Sequence, residues 1–326
     1  MDKEWKYLTG SEDEGKTVGE ILRAAGFSKK EISRQKFLPG GILLDGEQCR
    51  VTCRVHEGQM VALMLREGKT GSPASPDRNG RKDGVSGTKT PDMYSREAVM
   101  SEAGIGKRRL PLQICYEDED LIVVDKPAGL ACHLGRGHYE DNLGSILQRI
   151  CADDKSSRVN AVRLIGRLDK DTSGLVVLAK NRAAAARLWK QRSDGTFVKY
   201  YQAFVHGYMP VKRGTIKIPV MKIPGEKNKM QADEQGLPAV THYRVLQEGQ
   251  LFGQKASLLE CVLDTGRTHQ IRVHMAYEGH PLFGDPIYGV GDKAPRLCLH
   301  AQRICLRQPF TGDEMVVCTP EFSELL

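Results

Sequence analysis

Gly166-Arg167-Leu168-Asp169-Lys170-Asp171-Thr172-Ser173-Gly174-Leu175 runs directly into Val176-Val177-Leu178-Ala179. The unbroken apolar run at the end reads as a strand buried on both faces, and the polar residues before it as the turn that feeds it. An aspartate at a strand mouth beside an arginine is placed for nucleophilic or acid–base chemistry, because the cation keeps the carboxylate ionised. An isolated Asp-x-x-x-Ser-Gly would serve as a turn whose side chains cap backbone groups.

The rest of the chain decides between these readings. Downstream stand Leu263-Asp264-Thr265-Gly266-Arg267-Thr268-His269-Gln270-Ile271-Arg272-Val273-His274-Met275, then Gly279-His280-Pro281-Leu282 and Gly284-Asp285-Pro286-Ile287-Tyr288-Gly289. Between the two motifs lies Lys199-Tyr200-Tyr201-Gln202-Ala203-Phe204-Val205-His206-Gly207. Val123-Val124-Asp125-Lys126-Pro127-Ala128-Gly129-Leu130 precedes them and Leu299-His300-Ala301 follows. In this order the motifs resemble the RluA-type RNA pseudouridine synthases, over residues 112 to 326. One position departs: most RluA-type sequences carry His before Arg-Leu-Asp, and this chain has Gly166. RsuA-type synthases have Gly there, but their downstream motif reads Lys-x-Arg-Gln-Ile-Arg-Arg, unlike the stretch from Arg267 to His274.

The resemblance implies isomerisation of uridine to pseudouridine in structured RNA, ribosomal large-subunit RNA first and transfer RNA second. It implies Asp169 as the catalytic carboxylate, Arg267 as its ion-pair partner, and Tyr201 lying on the uracil ring near the C5 proton. Arg167 would stand where the base is vacated in the RNA, and Ile271 would line the pocket. The reaction breaks the bond from ribose to uracil nitrogen and rejoins ribose to C5. Nothing is gained or lost, so stoichiometry requires no cofactor and no metal. The carboxylate can attack the anomeric carbon or remove the 2′ proton. The residues do not choose between them.

Composition is compatible with this reading and would not have named it. The chain has 326 residues, long enough for two domains, and a formal net charge of +7, which favours a polyanionic partner. Nine cysteines are scattered without a secretory leader, so reduced thiols in a cytoplasmic, non-membrane protein are expected, acting as a monomer. Cys49 and Cys53 are spaced Cys-x-x-x-Cys without the further ligands a zinc site needs. His269 and His274 lie five residues apart, poorly placed for one helical face, and read as hydrogen-bonding elements of the cleft.

Three segments are expected. Residues 1–66 form a small α/β RNA-binding module, with helices opened by Thr17-Val18-Gly19-Glu20 and Ser28-Lys29-Lys30-Glu31, then strands at Ile42 to Leu44, Val51 to Val55 and Met60 to Leu65. This layout resembles the RNA-binding domain of ribosomal protein S-four, with Arg23, Lys29, Lys30, Arg34 and Lys36 facing phosphates. Residues 67–110, rich in Gly, Ser, Pro, Lys and Asp, bury too little apolar surface to offset ordering and form a flexible linker.

Residues 111–326 form the catalytic domain, an α+β class. Strands are predicted at 121–124, 175–179, 201–205, 215–219, 241–246, 256–263 and 300–306, and helices at 143–150, 182–191 and 268–277. The resemblance adds that the mixed sheet is mostly antiparallel and bent, with a central cleft. Two rival functions follow from the same residues: a catalytically silent RNA-binding factor, and a nucleoside glycosidase with a carboxylate at ribose. Isomerised uridine, unchanged bound RNA or free uracil distinguishes the three.

Overall fold

The computed structural model describes residues 3–65, 101–105, 108–133, 142–153, 162–226 and 228–320. The chain divides into two compact units, Met1–Val99 and Met100–Leu326.

In the first unit, β1 (Lys3–Leu8) is followed by helices α1 (Val18–Ala24) and α2 (Lys29–Gln35) and by strands β2 (Ile42–Leu44), β3 (Glu47–Gln48) and β4 (Met60–Leu65). Both helices start where expected, the second at the predicted capping box and the first at a box of the same kind. Thr17 and Ser28 accept from the backbone amides of Glu20 and Glu31, and each glutamate reaches back to the cap residue's own amide. The sheet order is β1-β4-β2-β3, all antiparallel, and Val18, Leu22, Ile42, Val61 and Leu63 fill the core between sheet and helices.

Two expectations here are corrected. Residues 51–55 form no strand; Val51 and Thr52 are in a turn, and Arg54 makes a single bridge to Thr17. The strand missing from the reading is β1, whose Trp5 and Tyr7 alternate with exposed Glu4 and Lys6, a period of two that was legible. Of the basic residues assigned to phosphate, Arg23, Lys29, Arg34 and Lys36 are exposed on the two helices or at the end of α2. The side chain of Lys30 lies outside the described residues.

The second unit opens with a pair of strands, β5 (Ser101–Ile105) and β6 (Arg108–Glu117), antiparallel to each other. The linker expected over 67–110 therefore ends before Ser101, and its remaining part lies outside the described residues. There follow β7 (Leu121–Lys126), α3 (Leu143–Asp153), β8 (Arg163–Leu164), β9 (Ser173–Ala179), α4 (Arg182–Ser193), β10 (Val198–His206) and β11 (Arg213–Ile216). The chain then forms β12 (Val220–Lys222), β13 (Met230–Ala232), β14 (Thr241–Leu251), β15 (Gln254–Leu263), α5 (Gln270–Tyr277), β16 (Leu299–Arg307) and β17 (Glu314–Cys318). Among the described residues the main sheet has eleven strands, with the path β11-β14-β15-β10-β16-β9-β7-β6-β5, β17 on β16 and β8 on β9. Its pairs are antiparallel except β9 with β16, so the sheet is mixed. No described helix is long and apolar enough to cross a membrane.

β9 is buried along its whole length because both faces are covered. Leu175, Val177 and Ala179 pack with Ala184, Ala185 and Leu188 of α4. Val176 and Leu178 belong to the apolar cluster that also holds Leu143, Ile146 and Leu147 of α3 and Ile271 and Met275 of α5. Continuous apolarity in the sequence is the trace of this two-sided burial.

Gly174 belongs to β9 rather than to the turn expected of Thr-Ser-Gly. At φ +110° a Cβ there would stand 2.4 Å from the carbonyl oxygen of Ala301, its partner in the parallel pairing. Only glycine lets the two strands approach there. Other boundaries move as well. The strand expected at 215–219 is β11, ending at Ile216 before Pro219, and the helix expected from Thr268 starts at Gln270.

Candidate active site

Asp169 lies in the turn between β8 and β9. This turn is fixed from below by Lys126, whose fully buried Nζ donates to the carbonyls of Pro127, Leu130 and Lys170 at 2.9, 2.8 and 3.0 Å. The amide of Gly129 also donates to Lys170, and the amide of Leu168 rests on Sγ of Cys132 at 3.4 Å. Burial pulls the Lys126 ammonium down to about 8, with the nearby carboxylates, Asp169 among them, opposing the shift.

The second motif arrives from the opposite side. His269 is the N-cap of α5, held at φ +58°, and its backbone amide donates to Oδ2 of Asp169 at 3.3 Å. The carboxylate thus faces the amino end of α5, where free amides and the helix dipole favour an anion. Gln270 locks the approach: its Oε1 accepts from Oγ1 of Thr265 and from the amide of Arg267, while Nε2 donates to the carbonyl of Val240. The ring of His269 shares a 2.9 Å hydrogen bond with the hydroxyl of Tyr288, and its pKa is lowered by burial. His274 bonds Thr241 and the carbonyl of Ile218. Both histidines therefore have hydrogen-bonding duties, as their spacing suggested.

Below the cap, Arg272 and Asp285 form a doubly hydrogen-bonded ion pair, Nε to Oδ2 at 2.7 Å and Nη2 to Oδ1 at 2.5 Å, with side chains 1 % and 0 % exposed. Burial opposes both charges. Their mutual hydrogen bonds and charge outweigh it, raising the guanidinium and lowering the carboxyl. Asp285 also accepts from the amides of Ile287 and Tyr288, so it shapes the loop that carries the tyrosine onto His269. Arg272 and Asp285 both lie inside the motifs, but nothing local in the sequence gives them a role. The Gly-Asp-Pro turn was the available signal, but the pairing spans separate elements.

Tyr201, in β10, is 9 % exposed and shares one apolar cluster with Leu168 and Ile271. Burial pushes its phenol well above the ordinary range; the Arg192 guanidinium counters, and the Asp169 carboxylate adds to the rise. The hydroxyl is protonated at neutral pH. Ile271, in the first turn of α5, is 3 % exposed. Lys199 is buried beneath, its Nζ donating to the carbonyl of Leu175 at 3.0 Å, and burial brings its ammonium down to about 7.

Of the five residues expected in the site, Arg267 stands differently. Arg267 is exposed and its Nε donates to the carbonyl of Pro238 at 3.0 Å; among the described residues Asp169 receives the amide of His269 instead of this guanidinium. The ion pair implied by resemblance is not formed. The reason is local, since the loop before α5 turns the side chain toward residues 237–239 while directing the helix amides at Asp169. Arg167 is exposed and bonds Oγ1 of Thr268, tying the two motif loops together.

The site therefore joins an aspartate, a helix amino end, a buried phenol and an apolar floor, with arginines at its rim. The RNA pseudouridylate synthase family model matches residues 120–277, which hold Asp169, Tyr201, Arg267 and Ile271. Over 220 residues the chain is 40 % identical to the ribosomal large subunit pseudouridine synthase D of Zymomonas mobilis, covering 63 % of this chain and 68 % of that one. The chain belongs to the RNA pseudouridine synthases.

Within that family it is of the RluA type. The synthase D of Escherichia coli strain K12 is 36 % identical over 233 residues, 67 % of this chain and 69 % of the relative. Human RNA pseudouridylate synthase domain containing 1 superposes with a TM-score of 0.53 at 29 % identity, covering 64 % of this chain and 83 % of its own. A pseudouridine synthase is an isomerase acting on RNA. The mixed sheet with few helices is its fold.

Proposed function

We propose that this synthase isomerises a uridine of large-subunit ribosomal RNA, with Asp169 as the catalytic carboxylate. The observation that carries the residue assignment is the position of Asp169 against the amide of His269, beside the buried Tyr201 and Ile271. The RNA target rests on the relatives of 36 to 40 % identity, which bear the name ribosomal large subunit pseudouridine synthase D.

A flipped uridine would place its ribose at Asp169 and its ring against Tyr201 and Ile271. Extrusion costs a few kcal/mol, which contacts of the exposed arginines with the RNA backbone would offset. The amide of His269 fixes the orientation of the carboxylate while the substrate excludes water. Asp169 then attacks the anomeric carbon or takes the 2′ proton. The protonated Tyr201 hydroxyl is a donor and its ring a stacking face. Arg267 acts at the rim, released from Pro238 toward the RNA or the carboxylate when substrate arrives.

The first unit is the RNA-binding appendage, of the ribosomal protein S-four type, with Arg23, Lys29, Arg34 and Lys36 on phosphates. The protein works as a cytoplasmic monomer, and transfer RNA is the second candidate substrate. The test is incubation of the purified chain with unmodified large-subunit ribosomal RNA and with transfer RNA, followed by chemical mapping of pseudouridine. A new pseudouridine in the ribosomal RNA supports the reading. Modification of transfer RNA alone removes the target, and free uracil without isomerised base replaces the reaction by glycoside cleavage.

A further inference from the structure

Arg192 lies in the last turn of α4, outside every motif quoted above. Its guanidinium stacks loosely on Trp189 at 5.4 Å and on Phe197 at 5.8 Å, and forms no hydrogen bond or ion pair with a described residue. A half-buried cation without an anion is uncommon, because losing water without gaining a partner costs free energy.

Its location explains what it is free for. A Cβ placed on Gly166 would stand 1.8 Å from Nη1 of Arg192, and one on Gly266 would stand 3.6 Å from Nη2. The guanidinium therefore occupies the space above Gly166, three residues before Asp169, and reaches toward Gly266, just before Arg267. Its charge is felt by Tyr201 and by Lys199. The glycine that departs from the usual Arg-Leu-Asp motif and the arginine from α4 are two halves of one arrangement: position 166 lacks a side chain, and a cation from elsewhere fills the gap.

We propose that Arg192 is a substrate-binding residue, its guanidinium gripping a phosphodiester oxygen beside the uridine being isomerised, through the gap left at Gly166. This rests on the proposed RNA isomerase function. The ligand chemistry follows from the site. RNA supplies an anion at each nucleotide, the planar fork suits a phosphate, and exposed Arg167 and Arg267 flank the same entrance. Lys199 does not compete for the anion, because it is buried and committed to the carbonyl of Leu175.

The test uses the full chain and an RNA containing the mapped uridine, with binding measured across a salt series and single-turnover rates across RNA concentration. Arg192→Met should weaken binding about 10-fold, lower the salt slope by about one, and act on KM more than on kcat, with Arg192→Lys intermediate. Gly166 stands at φ +83°, where a side chain strains the backbone as well as crowding the guanidinium, so Gly166→Ala should weaken binding in the wild type and little further when added to Arg192→Met, the difference reporting the guanidinium alone. Methylphosphonate at a linkage flanking the uridine should weaken wild-type binding and leave Arg192→Met nearly unaffected.

Unchanged affinity and salt slope in Arg192→Met, with the wild type forming pseudouridine, overturns the role of Arg192 alone. Loss of the single-turnover rate at saturating RNA with affinity intact also overturns it, since the guanidinium would then act on the reacting groups. Absence of pseudouridine with the wild type instead overturns the function on which the role rests.

Discussion

The backbone amide of His269 meets Oδ2 of Asp169 at 3.3 Å, joining two turns a hundred residues apart in the chain. The contact is made by the main chain, at a cap residue held in the left-handed region, so the donor cannot swing away as a long side chain can. A carboxylate held this way gains a preorganised partner at little cost in side-chain entropy.

Asp169→Asn should lower the isomerisation rate by roughly three orders of magnitude or more while RNA affinity changes little. The amide neither attacks carbon nor accepts a proton. Single-turnover assays with mass-spectrometric exclusion of deamidation check this; wild-type turnover by the pure asparagine variant removes Asp169 from the chemistry.

The Arg272–Asp285 pair predicts a stability effect that is separable from chemistry. Asp285→Ala strands a buried guanidinium and should cost about 3–5 kcal/mol, whereas replacing both partners by Met and Leu should cost much less. Denaturant melts of the two variants decide it. Because the Asp285 carboxyl is lowered, its stabilisation is present above the ordinary carboxylate range and is lost as pH falls through the folded value. Acid melts of the wild type and the double variant should diverge only on that side.

Lys199 gives a signature of the same sign in a higher pH window. Burial, chiefly, and the Arg192 charge bring its folded pKa to about 7 from 10.5. Between these values the unfolded chain holds a proton that the folded chain has released, so folding stability rises with pH across that window. Relative to Lys199→Met, the wild type should gain on the order of 2 kcal/mol between pH 6.5 and pH 9. Urea titrations at the two pH values measure it, and a constant difference would mean that the ammonium stays charged.

A chain beginning at Met100 should fold, since the second unit contains its own core and the β5–β6 pair, and should retain activity on a short RNA presenting the target uridine. Its affinity for long RNA should fall and depend less on salt, because the basic helices of the first unit would no longer neutralise phosphates. An unchanged salt slope with a lost chemical step would assign the first unit to the catalytic site instead.

What the sequence determined by itself was local. The helix starts at Thr17 and Ser28, the buried run through Val176 and the helix closed by Gly279 were legible because each depends on neighbours a few residues away. The order of the motifs was enough to indicate the reaction. The tertiary structure alone decided what meets Asp169: the His269 amide in place of the Arg267 side chain, the Lys126 clamp beneath, and the buried Arg272–Asp285 pair. It also placed Arg192 in the gap at Gly166 and the parallel approach of β16 on Gly174. Periodicity records which face of an element is buried, not which distant element covers it. Contacts across many residues are fixed by packing of the whole sheet, and no local preference encodes them.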